Sequence, residues 1–203
     1  YDLTNDKGWN VQVNKYDNIS VWYKKNENSQ SKKNDIHSIK IRFLCKCSVL
    51  DILAILNEID LMNEIMTIIK TEGRFLKEFN DRHKIMFNKM YMWWPLKNRY
   101  AICTVKAYDL LTDFNEIFIW GKTLKNRNAH HIELPKLDKK DVEFEVIMGN
   151  GVIKPIKWKN KILSQVTPKT RELYSKELND SKIENLIEIT SEFNVDFDTV
   201  LPT

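Results

Sequence analysis

Apolar side chains alternate with polar ones along most of this chain, and recur at three- and four-residue steps in one long stretch. A period of two puts the apolar set on one face of a β-strand, whereas a period near 3.6 puts it on one side of a helix. Trp9, Val11 and Val13 alternate with polar residues, and Ile19, Val21 and Tyr23 do so after Asp17-Asn18, which predicts a hairpin. Residues 24–35 are polar and predict a loop, after which Ile39, Ile41, Phe43, Cys45 and Cys47 predict one face of a third strand. Ser48 followed by Asp51 has the form of a capping box. Beyond it Ile52, Ile55, Leu56, Ile59, Met62, Ile65, Met66 and Ile69 predict a helix over 48–70, stopped by Gly73. Its broad apolar face is suited to packing on a sheet.

Strand periodicity resumes at Arg74, with a turn predicted at Asn80-Asp81. Further strands are predicted over residues 83–92, 100–108 and 117–124, with a break at Trp93-Trp94-Pro95-Leu96. Residues 142–148 alternate, Asn150-Gly151 predicts a tight turn, and 152–156 predicts the returning strand of a second hairpin. Residues 157–182 break the regularity, with a short helix predicted over 171–178 behind Thr167-Pro168. Ile187, Ile189, Phe193, Val195 and Phe197 predict the last strand. These elements sum to an α+β fold. A curved antiparallel sheet of about eight or nine strands wrapped on a long amphipathic helix can enclose an apolar cavity between the two.

Composition narrows the classes without naming one. The 203 residues suit one domain, 1–203, and 42% hydrophobic with 30% charged residues is a globular balance. Thirty-two Lys and Arg stand against 28 Asp and Glu, for a net charge of +4. The basic residues are scattered, in no run longer than Lys24-Lys25 or Lys32-Lys33, which argues against a nucleic-acid surface and leaves weak attraction to anionic membranes. Neither a signal peptide nor a membrane-spanning run is visible, and a chain that starts at Tyr1 reads as a piece of a longer product whose targeting segments lie elsewhere, so its compartment is unknown. On one strand Cys45 and Cys47 would stand roughly 6.5–7 Å apart with parallel side chains, so the cysteines are expected to be free. No metal-ligand spacing surrounds them, and His130-His131 would face opposite ways on a strand. Neither a Ser/His/Asp or Cys/His set nor a Gly-rich phosphate loop stands out, so no enzyme activity and no cofactor are expected.

The run Met92-Trp93-Trp94-Pro95-Leu96-Lys97-Asn98-Arg99-Tyr100 resembles the signature of the StAR-related lipid-transfer (START) family, an aromatic-rich Pro turn followed by Arg-Asp and a strand. Gly8-Trp9 is similar to the family's opening Gly-Trp, and residues 49–69 sit where it has its helix after the third strand. Residues 117–123, 130–135, 151–155 and 196–202 resemble later family segments in the same order. Tyr100 departs from the pattern, standing where the family has Asp, and Met62 and Met66 stand where phospholipid-binding members place charged residues. The resemblance implies a helix-grip domain that holds a lipid monomer and transfers it between membranes, with 157–182 as an insertion. Phospholipid is the first cargo it implies, with sterol or ceramide as alternatives. It also implies that the family's N- and C-terminal helices lie outside this chain, which would leave the cavity open.

Under that resemblance Ile59, Met62, Met66, Phe87, Ile102, Ile117 and Ile119 are expected to line the cavity, with Arg99 as a head-group contact or the partner of Glu116. Met86, Met90 and Met92 are further candidates, because thioethers adapt to varied apolar shapes. Trp93 and Trp94 are expected either to touch the membrane or to shape the end of the sheet. The same helix-grip shape also occurs in co-chaperone modules that bind a protein partner and have a filled interior. That reading is kept as the alternative.

Overall fold

The computed structural model describes residues 7–16, 19–26, 36–59, 70–93, 95–156 and 186–196. It contains one ten-stranded sheet. The strands are β1 (Asn10–Tyr16), β2 (Ile19–Asn26), β3 (Ile36–Cys45), β4 (Thr71–Asn80), β5 (His83–Met90), β6 (Arg99–Leu110), β7 (Glu116–Thr123), β8 (Val142–Glu143), β9 (Glu145–Ile156) and β10 (Leu186–Asp196). Their spatial order is β1-β2-β3-β10-β9-β7-β6-β5-β4, all antiparallel, with the two-residue β8 parallel to β6. The last strand therefore sits at the centre, between β3 and β9, and joins the amino-terminal strands to the rest. Bulges in β1, β4 and β9 add local twist to this curved sheet.

Two α-helices are described, α1 (Val49–Asn57) and α2 (Leu111–Phe114). The capping box forms as predicted. The Asp51 amide donates to Ser48 Oγ at 3.1 Å, and the Ser48 amide donates to Asp51 Oδ2 at 2.7 Å. The long helix predicted over 48–70 is interrupted after Asn57, because Glu58 takes φ −100 and ψ 78. Asn57 Nδ2 donates to the Leu53 carbonyl at 2.9 Å, so a side chain competes for a backbone acceptor in the last turn. Gly73, predicted to end the helix, lies buried inside β4 instead.

The second predicted hairpin is absent. Asn150-Gly151 lies inside one continuous strand, β9, paired with β7 on one side and β10 on the other. Gly149 serves close approach between neighbours, since a Cβ there would stand 3.2 Å from Phe193 Cδ1, whereas one on Gly151 would meet Ser191 Oγ at 3.6 Å and Ile119 Cβ at 3.7 Å, in ordinary contact. The first hairpin agrees in its pairing, Tyr16 with Ile19, while Asp17 and Asn18 lie outside the described residues. So do the segments predicted as an insertion and a short helix, and Phe197.

Cross-strand partners point to the same side of a sheet, so the register sorts the side chains. On β6, Ala101, Cys103, Val105 and Ala107 share a face with Thr123, Gly121 and Ile119 of β7 and with Met86 and Met90 of β5. The helix α1 packs on this side, through Val49, Ile52 and Leu53. The outer face carries Ile85, Phe87, Tyr100, Ile102 and Leu124, covered by Leu76 and by Ile132 and Leu137 of the 125–141 loop. Farther along the outer face Lys40 is buried. Its Nζ stands 5.0 Å from the Trp9 ring and 5.1 Å from the Trp22 ring, and Glu192 is its cross-strand partner.

Candidate functional site

Among the described residues the helix face is apolar at both ends and open between them. At one end Ile117, Ile153, Ile187 and Ile189 form a buried cluster with Phe43, Leu111 and the α1 side chains. At the other, Ala101, Cys103, Phe144 and Val195 pack with Met86, Met90, Val105 and Val146. The register places two rows between these clusters. One runs Ile41, Ser191, Gly151, Ile119 and Ala107, and the other runs Ile39, Phe193, Gly149, Gly121 and Val105. Small residues make the floor of this strip. Phe193 stands in it 41% exposed, although its strand is hydrogen-bonded on both sides in the middle of the sheet. An open phenylalanine at a sheet centre is surface left for something to cover.

The predicted site residues separate. Ile117 and Ile119 lie on the helix face beside α1, and Met86 and Met90 lie on it farther along. Phe87 and Ile102 are a cross-strand pair on the outer face, in the cluster under the 125–141 loop, so they do not meet Ile117 and Ile119. The alternation that predicted β5 and β6 leaves open which of two faces meets the helix, and the register decides it. Ile59 is half-buried just past the end of α1 and belongs to none of the three apolar clusters. Met62, Met66 and Trp94 lie outside the described residues. Arg99 opens β6 on the helix-face side, opposite Met90, and its Nη1 donates to the Lys97 carbonyl at 3.2 Å. It does not pair with Glu116, which faces Leu110 at the far end of β6 and lies 3.6 Å from Lys154. Trp93 is 82% exposed on the turn between β5 and β6.

Sequence reasoning missed Phe193 and the glycines as site residues. A usable signal was present, because Gly149 and Gly151 stand two apart in a run long enough for one strand, and so share a face. The cysteines are free, but Cys45 and Cys47 do not share one flat strand. Strand β3 ends at Cys45, and the bend at 46–47 brings the two thiols into hydrogen-bonding contact. Burial raises both thiols, the contact with Cys47 opposing it at Cys45. Burial also pushes the Cys103 thiol up to about 11, against a hydrogen bond with Thr123. His83 stacks on Phe79 at 4.4 Å, and burial first, then Lys106 and His130, lowers its pKa. Among the described residues no group of three or more His, Cys, Asp or Glu is placed to hold a metal ion.

No family model matches the sequence, and no curated protein does either. Solved structures do match. The structure of human STARD10 superposes with a TM-score of 0.63 at 17% identity, over 98% of this chain and 65% of that one. This chain thus spans just under two thirds of the STARD10 structure. Human StAR-related lipid transfer protein 5 gives a TM-score of 0.62 at 7% identity, over 95% of this chain and 74% of that one. A fragment of a STAR-related lipid transfer protein from Xanthomonas axonopodis gives 0.57 at 13%, over 92% and 81%. The chain has the START fold. Identities this low establish architecture alone, here a ten-stranded sheet with a helix on one face. What that face binds has to be argued from its own side chains.

Proposed function

We propose that this chain is a lipid-binding domain, residues 1–203, that holds one lipid monomer on the helix face of its sheet and transfers it between membranes. The observation that carries the reading is the strip floored by Gly121, Gly149 and Gly151, with Phe193 open above it. Isoleucine and methionine clusters flank it at both ends, and the Lys84–Glu78 ion pair lies beyond Val105 at the sheet edge. Such a surface favours acyl chains or a rigid apolar body over a polar ligand. Each CH₂ removed from water contributes roughly 0.8 kcal/mol, so a carrier must cover most of its cargo to compete with a bilayer. Ile117, Ile119, Met86, Met90 and Phe193 are the proposed contacts. Phospholipid is the cargo to test first, with sterol and ceramide beside it, and the reaction is physical exchange without catalysis.

Native mass spectrometry of the purified chain tests this directly. A co-purified mass in the lipid range is expected. It should be lost in Phe193→Asp and kept in Phe114→Asp, where the residue is exposed on α2 away from the strip. A chain free of lipid, and unable to move labelled phospholipid, sterol or ceramide between vesicles, would sink the proposal and favour a protein-interaction module.

A further inference from the structure

Cys45 and Cys47 stand at the corner where β3 gives way to α1. An extended strand would hold them about 6.5–7 Å apart with parallel side chains, at the limit of disulfide reach. The chain is not extended here. Strand β3 ends at Cys45, and the backbone bends at Lys46 and Cys47 before the Ser48 cap. The bend turns the two thiols into mutual contact. Each is held from a different side. Cys45 is tied into the sheet, opposite Ile187 of β10. Cys47 packs with Val49, Ile52 and Leu53 of α1 on the cluster that contains Ile187. Both cysteines are half-buried and Lys46 between them is exposed, whereas Cys103 is buried in the cluster at the other end of the helix face.

Neither thiol is an activated nucleophile, because burial raises both, and at Cys47 the neighbouring Cys45 and Asp51 raise it further. Contact is what distinguishes the pair. When one of two touching thiols forms a mixed disulfide with a small oxidant, the other already stands beside it, at an effective concentration that no dissolved thiol matches. Ring closure then outruns a second encounter with the oxidant. The ring spans only Lys46, so it is short, and partly exposed disulfides of this kind are the labile ones.

We propose that Cys45 and Cys47 form a reversible redox site, which closes to a disulfide and locks the start of α1 to the end of β3. The oxidant is a small disulfide of the glutathione type. One cysteine thiolate attacks it, forming a mixed disulfide and releasing one glutathione thiolate. The second cysteine gives its proton to water and attacks the protein sulfur of the mixed disulfide, which releases the other glutathione. The protein loses two electrons and two protons, and the oxidant leaves as two thiols. The new bond holds its sulfurs at about 2.05 Å, closer than thiols in hydrogen-bonding contact, so closure draws Cys47 and the capped turn behind it toward the strand. The site stands whether or not the open strip holds a lipid.

The test is to incubate the reduced chain with glutathione disulfide, digest it with trypsin and weigh the peptides. Cuts after Arg42 and Lys70 leave both cysteines in residues 43–70. That stretch should be lighter by a pair of hydrogens than in the reduced chain, with no glutathione on it and with Cys103 still a thiol. Reduced glutathione should restore the original mass. In Cys45→Ser and in Cys47→Ser the link should be missing and glutathione should remain on the surviving thiol. Glutathione kept on both cysteines of the parent, a link to Cys103 or to a second chain, or no reaction at all would overturn the site. Locking is read by hydrogen exchange. The amides of residues 49–53 should exchange several-fold more slowly in the oxidised parent than in the reduced one, and Cys45→Ser with Cys47→Ser should not respond. A link without slower exchange would overturn the locking. A chain that links but carries no lipid would sink the carrier reading and leave this one intact.

Discussion

The two faces of the sheet are built to different ends. Under the 125–141 loop the outer face is closed, with Ile85, Phe87 and Ile102 almost wholly buried. Its ion pair Lys89–Asp141 is buried as well, and Tyr100 and Arg127 both bond Glu143 at its rim. Among the described residues the helix face is closed only at its ends, and its middle is small side chains and an open Phe193. Interiors are close-packed wherever stability is the requirement. The contrast teaches that the outer face carries the fold, while on the proposed reading the helix face gives up packing to keep a surface for a ligand.

Truncating one phenylalanine on each face is the strongest way to break that contrast. Phe87→Ala should cost about 3–5 kcal/mol in denaturant unfolding, because it empties a closed core. Phe193→Ala should cost about 1 kcal/mol while reducing the lipid that co-purifies. Equal costs would mean that the helix face is ordinary core.

The ion pair comes next. Asp141→Leu alone should destabilise by on the order of 3 kcal/mol, since it leaves Lys89 charged, buried and unpaired. Adding Lys89→Met should return most of that loss.

Acid should find the same site. Burial alone would raise the Asp141 carboxyl, but the hydrogen bonds from Lys89, Asn98 and the Asp138 amide outweigh it and hold it below the ordinary 3.8. Its stabilisation is therefore whole above the ordinary carboxylate range and is lost as pH falls through the folded value. Lys89 moves the other way. Burial lowers it, Asp141, Tyr91 and Asp138 raise it more, and the net lies above 10.5, so its contribution fails only in strong base. The stability gap between the parent and Asp141→Asn should be constant between about pH 5 and 9 and shrink below about pH 4. A gap that persists unchanged in acid would show that the carboxylate is not held as described.

The smallest effect concerns Cys103, on the helix face. A thiol pushed up to about 11, against an ordinary 9.0, carries roughly a hundredfold less thiolate at neutral pH. Alkylation followed by mass spectrometry should modify Cys45 and Cys47 before Cys103, with bound lipid slowing Cys103 further. Early modification of Cys103 would place solvent where a closed cluster is described.

Much of this was legible in the sequence. Side-chain alternation marked β1 to β3, β5 to β7 and β10, and Ser48 with Asp51 marked the start of α1, because strand and helix periods and helix caps are local physics. The ordered resemblance of short segments pointed to the START architecture. What the sequence could not decide was partnership. Asn150-Gly151 is a turn signal when read alone, and it became mid-strand because β7 and β10 supplied hydrogen-bond partners on both sides. Phe87 and Ile102 alternate as well as Ile117 and Ile119 do, yet only the register of β5, β6 and β7 assigns the first pair to the outer face and the second to the helix. The partnership of Lys89 with Asp141, 52 positions apart, has no trace in spacing. Local sequence determines which residues can share a face. Which face is buried, and against what, is settled by contacts between segments far apart in the chain, and only the tertiary structure brings those together.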